Sequence, residues 1–429
     1  MLALRLSRSA HPAVQLRRLL VAAASAGTGF LLLCTLGHAL THPEASATSV
    51  LRLAWCVIPL AATVYFALAV ARTDPGTRPR PGLAAIGLGP VRLMAVSATT
   101  TALSTLLGSM LALLLFLHLR GDLTGMPFDG AAADFLAADA SLPLPATLTL
   151  LALVPLASSV SVALMLRPRD TRLAARAAAP KLFGTAGALR PGGAGAGRAT
   201  PAPRTGGEPV RAATAAPAEG AQESRIERPD PTALPWGAAL LAAGLAVEGY
   251  ASRTATGADV PLPGGLPTGP AAVLLGWTLT AVGLALAGPG LTHLCGRLLQ
   301  AVRPGALRLL AGRGLMEESA RIGRPLGVVC AVASGAYTMA VLYDPSDPAF
   351  GPLTTLGALV VAGSTVATLV TAAVEARQAR AETTAALLRL GAPTKTLRSA
   401  AALRTGALLA LFVPLTLVVA ELAALPLAR

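Results

Sequence analysis

Glu375-Ala-Arg-Gln-Ala-Arg-Ala-Glu-Thr-Thr-Ala-Ala-Leu-Leu-Arg-Leu-Gly-Ala-Pro-Thr-Lys-Thr-Leu-Arg398 is a charged segment set between two apolar runs. Its Leu387, Leu388 and Leu390 precede Gly391-Ala392-Pro393, while Arg377, Arg380 and Glu382 supply the polar side. The pattern predicts a helix along a membrane surface that presents one leucine face and stops at the Gly and Pro. We read it as a handle by which a soluble partner moves the membrane helices on either side.

A fainter copy lies near the other end of the chain. Leu83-Ala-Ala-Ile86-Gly87-Leu-Gly-Pro-Val-Arg-Leu93 aligns with the stretch from Leu387 to Leu397 at a constant offset of 304 residues. Leu83, Ile86 and Gly87 thereby match Leu387, Leu390 and Gly391. Each copy follows one apolar run and precedes another, which predicts an internal repeat. Pro79 and Pro81 shorten any helix in the first copy.

Composition bounds the class. With 54% hydrophobic and 13% charged residues and a mean hydropathy of +0.63, the chain is far more apolar than a soluble globular protein, where about a quarter of residues are charged. It reads as an all-α, polytopic bundle of about nine transmembrane helices. A net charge of +14 raises nucleic acid as a partner, but the basic residues fall in the loops of one side, and aromatics, at 3%, leave few platforms for bases. Nucleic acid is therefore excluded as a partner. Cys34, Cys56, Cys295 and Cys330 lie in or beside apolar runs without paired spacing, so neither a disulfide framework nor a metal site is expected.

Taken in order, the predicted spans are 19–40, 51–71, 94–119, 147–166, 236–250, 271–294, 325–343, 356–374 and 400–425, near the twenty residues a bilayer requires. The first is too long for a signal-peptide core and is expected to be retained. The loops between alternate spans hold 30 of the 35 Lys and Arg residues, whereas the opposite loops carry eight acidic ones, Asp122, Asp129, Asp134 and Asp139 among them. The positive-inside rule places the N-terminus in the cytoplasm and the C-terminus outside a cell membrane. Residues 297–324 read as an amphipathic lead-in along the membrane. The stretch 167–235, rich in Pro, Gly, Ala and Arg, reads as a disordered cytoplasmic linker. The organisation is then a first module over 1–166, the linker over 167–235, a helix pair over 236–296, and a second module over 297–429.

No catalytic constellation is present, and no cofactor motif. Gly391-Ala-Pro-Thr-Lys-Thr396 lacks the glycine spacing and the preceding strand of a phosphate loop. The five histidines show no metal-ligand spacing. Any ATP hydrolysis must come from another polypeptide. Glu248, Arg404 and Glu421 lie near span ends, where long side chains reach for the interface. Gly27, Gly29, Gly335 and Gly363 are candidates for close helix contacts.

An apolar span running into Arg377-x-x-Arg380-x-Glu382, then Ala385-Ala-Leu-Leu-Arg-Leu-Gly391-Ala-Pro, then another span, resembles the FtsX-like permeases, membrane subunits of MacB-type ABC transporters. The resemblance covers roughly 19–166 and 300–425, and the copy at Gly87 makes it a two-module form. It departs from the pattern in lacking an acidic equivalent of Glu382 in the first copy, a final helix in the second module, and a large outer domain. The resemblance implies a permease subunit without enzymatic activity of its own. A dimer of cytoplasmic ABC ATPase subunits would couple through Arg380, Glu382, Leu387, Leu390 and Gly391, and through Leu83, Ile86 and Gly87. The complex would export or extract an amphipathic substrate, a peptide, lipid or antibiotic, with the chain acting alone, as a homodimer or with a second permease. Two alternatives stand beside it: a non-transporting regulator that relays ATPase motion to an outer partner, and a secondary transporter or membrane scaffold.

Overall fold

A computed structural model describes residues 12–74, 90–123, 130–133, 135–167, 233–251, 253, 259–260, 269–301, 305–342 and 351–425. The chain is an all-α polytopic bundle, and among the described residues nine helices are long and apolar enough to cross a membrane. In hydrocarbon the backbone has no water to bond, so each apolar run closes its own N–H and C=O groups by becoming helical.

The helices are α1 (Pro12–Thr41), α2 (Ser46–Trp55), α3 (Val57–Thr73), α4 (Pro90–Arg120), α5 (Leu144–Leu166), α6 (Ala233–Ala251), α7 (Ala271–Ala301), α8 (Ala306–Leu342), α9 (Pro352–Ala379), α10 (Ala381–Arg389) and α11 (Thr394–Ala424). A two-residue antiparallel pairing, Asp259–Val260 with Gly269–Pro270, lies between α6 and α7. The expected start of the second span at residue 51 is preceded by α2, a short helix that runs into α3 through Cys56. The lead-in expected along the membrane is instead the first half of α8, which continues through Pro325 as one helix. Residues 75–89, with Leu83, Ile86 and Gly87, and 168–232, which make up nearly all of the expected linker, lie outside the described residues.

All the described residues belong to one compact unit. Helices α1, α3, α4 and α5 pack together, as do α6, α7, α8 and α11, and α9 packs against α1, α3 and α8. The contacts of the two groups run parallel. Helix α1 lies on α4 as α8 lies on α11, and α3 meets α9, its counterpart in the proposed repeat. Helix α7 packs on α8 and α11 as α5 packs on α1 and α4.

Close approach makes these contacts. Apolar side chains gain little from meeting one another in lipid, so helices associate where small residues let backbones touch. A Cβ at Gly108 of α4 would run into the carbonyl of Ala22 on α1, and one at Gly288 of α7 into the carbonyl of Gly323 on α8. Gly237 of α6 sits so close to Ala287 that a Cβ would stand 2.5 Å from its nitrogen. Of the glycines singled out in the sequence, Gly27 and Gly29 are close-packed, against Val360 and Ala112, whereas Gly335 and Gly363 have nothing within 4 Å.

Hydroxyls add direction. Within α4, Thr101 and Thr105 donate back to Ser97 and Thr101. Across helices, Ser25 donates to the Thr105 carbonyl at 2.8 Å, Ser109 to the Leu151 carbonyl at 3.0 Å, and Thr28 meets Thr63 at 2.9 Å. At the far end from the handle, the segment expected as a simple acidic loop folds back. Leu136 is buried with Leu33, Phe116 and Leu151, and the buried Arg120 side chain donates to the carbonyls of Ala138 and Ala140.

Gly108→Leu should therefore lower the thermal stability of the detergent-solubilised protein, by about 1–3 kcal/mol as for other overpacked sites, while Gly335→Leu should leave the melting temperature unchanged.

Candidate functional site

The charged segment resolves into three parts. Helix α9 continues past the apolar run to Ala379. Arg380 serves at once as its C-cap and as the N-cap of α10, its backbone N–H donating to the Ala376 carbonyl and its own carbonyl accepting from Thr384. Glu382 is exposed in the first turn of α10, where a carboxylate complements the helix dipole. At the other end Gly391 adopts φ +85°, and its N–H donates to the Leu388 carbonyl while that of Ala392 donates to the Leu387 carbonyl. These are the two hydrogen bonds of a glycine-terminated helix, and a residue with a side chain would adopt that φ only with strain. The predicted stop at Gly391 is thus realised.

The nine-residue α10 packs on the end of α9 and buries no residue of its own. Leu387 is half-buried, Leu388 is 42% exposed and Leu390 84% exposed. Leu388 and Leu390 therefore lie on the surface of the described residues and not in the core.

Arg380 does not share that surface. The family resemblance implied that it faces an ATPase; its Nε lies 2.6 Å from Oε1 of Glu318, a buried carboxylate on α8. Its Nε also donates to the Ala376 carbonyl at 3.1 Å. Glu318 lies 62 positions earlier, in a stretch that reads as a separate surface helix, so local sequence gives no sign of the pairing. Arg404 of α11 enters the same region. Its guanidinium lies against Gly314 of α8, so close that a Cβ there would be 2.5 Å away, and it donates to the Leu310 carbonyl at 3.2 Å. Helices α8, α9 and α11 are therefore tied together at the base of the handle by charged groups.

The base of the first handle is tied too. Arg18 of α1 lies 2.5 Å from Asp74, the C-cap of α3, and Arg17 donates to Thr73 at 3.2 Å. The residues that follow, Leu83, Ile86 and Gly87 with them, lie outside the described residues.

Of the ionisable residues expected to reach for an interface, Glu248 does the opposite. It is 1% exposed, enclosed between α6 and α7, with Oε1 accepting from Thr280 at 3.0 Å and Oε2 buried without a hydrogen-bond partner among the described residues. It fits because Gly276 faces it, where a Cβ would collide with the Glu248 side chain. Glu421 is exposed and accepts from the Tyr337 hydroxyl at 2.6 Å, adding to the seam of α8 and α11 that Ser334–Thr416 and Thr338–Ala420 also hold. Among the described residues no group of three or more His, Cys, Asp or Glu is gathered as a metal set.

No protein-family model, curated protein or solved structure matches the chain.

Thr280→Val should cost about 1–2 kcal/mol, because it removes the donor to a carboxyl group already short of partners. Thr280→Ser should restore most of it, both read from thermal unfolding in detergent.

Proposed function

We propose that the chain is the permease subunit of an ABC transporter, set in the cell membrane with its handle end in the cytoplasm. A separate ATPase dimer drives it, and the cargo is an amphipathic molecule such as a peptide, lipid or antibiotic. The observation that carries this reading is α10. It is a short helix with Leu388 and Leu390 exposed, stopped rigidly at Gly391 and joined through Arg380 to α9, which reaches both helix groups.

A force applied to such a helix passes to the bundle through packed contacts, since interdigitated helices move as bodies rather than bending. The ATPase dimer closes on ATP, grips α10 at Leu388, Leu390 and Glu382, and shifts α9 against α1, α3 and α8. ATP binding thereby favours one of two helix arrangements. The polar seams are suited to such a shift, because hydroxyl-to-carbonyl bonds can be exchanged one turn along a helix. A two-module FtsX-like organisation, with 1–166 and 297–429 as the modules and 236–296 as an added helix pair, accords with the parallel packing of the two groups.

A second reading, a regulator that moves no substrate but relays the ATPase stroke to an outer partner, is favoured by the folded segment at the opposite end. There Leu136 anchors a short cap on which Phe135 is 58% exposed.

Affinity purification of the full-length protein from its native membrane should recover an ABC ATPase, and Leu388→Ala/Leu390→Ala should abolish that recovery while the permease remains folded. Intact permease recovered without any ATPase, under conditions that preserve ABC complexes, would overturn the reading in favour of a secondary transporter or scaffold. ATPase activity stimulated by amphipathic substrates separates the transporter from the regulator.

A further inference from the structure

The helix pair α6 and α7, outside both modules of the proposed repeat, carries a carboxyl group in its seam. The two helices meet backbone to backbone at three levels: Gly237 against Ala287, Gly283 against Leu241, and Gly244 against the turn of α7 that holds Gly276 and Thr280. At the last level Gly276 leaves the room that Glu248 takes up, since a Cβ there would stand 2.4 Å from the Glu248 Cγ. Thr280, one turn along, donates to Oε1 at 3.0 Å, while Oε2 is buried with no hydrogen-bond partner among the described residues. The seam is thus shaped for a carboxyl group and answers one of its two oxygens.

No cation accompanies it. On α7 the titratable side chains are His293, Cys295 and Arg297, the first of them 13 residues beyond Thr280 and so about 20 Å along the helix axis. Helix α11, which also packs on α6, brings Lys395, Arg398 and Arg404 from its handle end, and Glu421, which is exposed and bonded to Tyr337 of α8. Helix α6 itself adds Tyr250, 70% exposed. Between α6 and α7 the sequence holds one base, Arg253, and one acid, Asp259. Arg253 is exposed, and among the described residues no ion pair reaches Glu248.

An ionised carboxylate withdrawn from water needs a cation or several donors, and one threonine hydroxyl is neither. A neutral carboxyl needs much less. Its carbonyl oxygen, here Oε1, accepts from Thr280, and Oε2 bears the proton. We propose that Glu248 is a proton-binding site in the seam of α6 and α7, open to exchange at the end of the bundle away from the handle. The exchange path is short, because Glu248 lies one turn before the end of α6 at Ala251. Release of the proton leaves an unpaired carboxylate between backbones in contact, so α6 and α7 must part to admit water. Proton binding closes the pair and proton release loosens it. The site belongs to α6 and α7 and does not rest on the ATPase reading.

A hydrophobic carbodiimide tests for the protonated carboxyl. The acid's proton moves to a carbodiimide nitrogen as its oxygen bonds to the central carbon, and an acyl shift from oxygen to nitrogen leaves a stable N-acylurea with nothing expelled. With the full-length protein in phosphatidylcholine nanodiscs and dicyclohexylcarbodiimide, peptide mass spectrometry should find this adduct at Glu248 and not at the exposed Glu421. Its rate should fall about tenfold for each unit of pH once the site ionises. Glu248→Gln, a neutral isostere, supplies the second readout. A group that binds its proton more tightly folded than unfolded loses its share of stability as the pH rises. The wild-type melting temperature should therefore fall relative to that of Glu248→Gln between about pH 5 and about pH 9. No adduct at Glu248, or labelling no greater than at Glu421, would overturn the site. So would a wild-type melting temperature that holds level with the variant's or gains on it as the pH rises, the mark of a carboxylate that is ionised when folded. Should Glu248→Gln disturb folding, the pH course of labelling in the wild-type chain decides alone.

Discussion

Backbone contact between helices is the constraint on which this bundle depends. Inside hydrocarbon, burying a leucine against another leucine gains little over leaving it against lipid, so the usual driving force for packing is absent. What remains is dispersion at short range and the occasional hydrogen bond. Gly108 on Ala22, Gly237 on Ala287 and Gly288 on Gly323 bring main chains together at a range that any side chain would prevent. Beside such contacts and along the same seams, hydroxyls of Ser25, Ser109 and Ser334 reach the neighbouring carbonyls. The exposed faces are left to leucine and valine, as on α11, where Leu409, Val413, Leu417 and Val418 all face outward.

On that scaffold the charged groups gather at two places with different characters. At the handle end they are paired and partly hydrated: Arg18 with Asp74, Arg380 with Glu318, and Arg404 laid over Gly314. Near the opposite end Glu248 is enclosed between α6 and α7 with one hydroxyl to bond. In the first, Arg18 and Arg380 stay in contact with water while their carboxylate partners are largely covered. In the second, a carboxyl withdrawn from water has no substitute for Thr280.

Much of the architecture was legible along the chain. The nine apolar runs were separable because a bilayer demands about twenty such residues and charged loops interrupt them. The stop of α10 was legible at Gly391, because a left-handed turn after a helix calls for glycine. The serines and threonines of α4 bond both back along the helix and, through Ser109, to α5. Less legible were the continuity of α8 through Pro325, whose missing N–H reads as a break but is tolerated in a packed helix, and the cap formed by Leu136. The glycines divided in the same way, with Gly27 and Gly29 in contact and Gly335 and Gly363 open. In a chain with 43 glycines, spacing cannot say which of them meets a neighbour.

The sequence by itself determined the class, the apolar runs that become membrane-length helices among the described residues, and the stop of α10, since each follows from local hydropathy and turn chemistry. Only the tertiary structure decided which charges are partners. Nothing local marked Glu318 as the partner of Arg380 until α8 brought it to within 2.6 Å, and Glu248 looked interfacial until Gly276 and Thr280 enclosed it. Pairing of that kind depends on which helices lie side by side, and that choice is made by contacts between residues far apart in the chain. Hydropathy records how a residue meets lipid or water, and it carries no information about which neighbour it will meet.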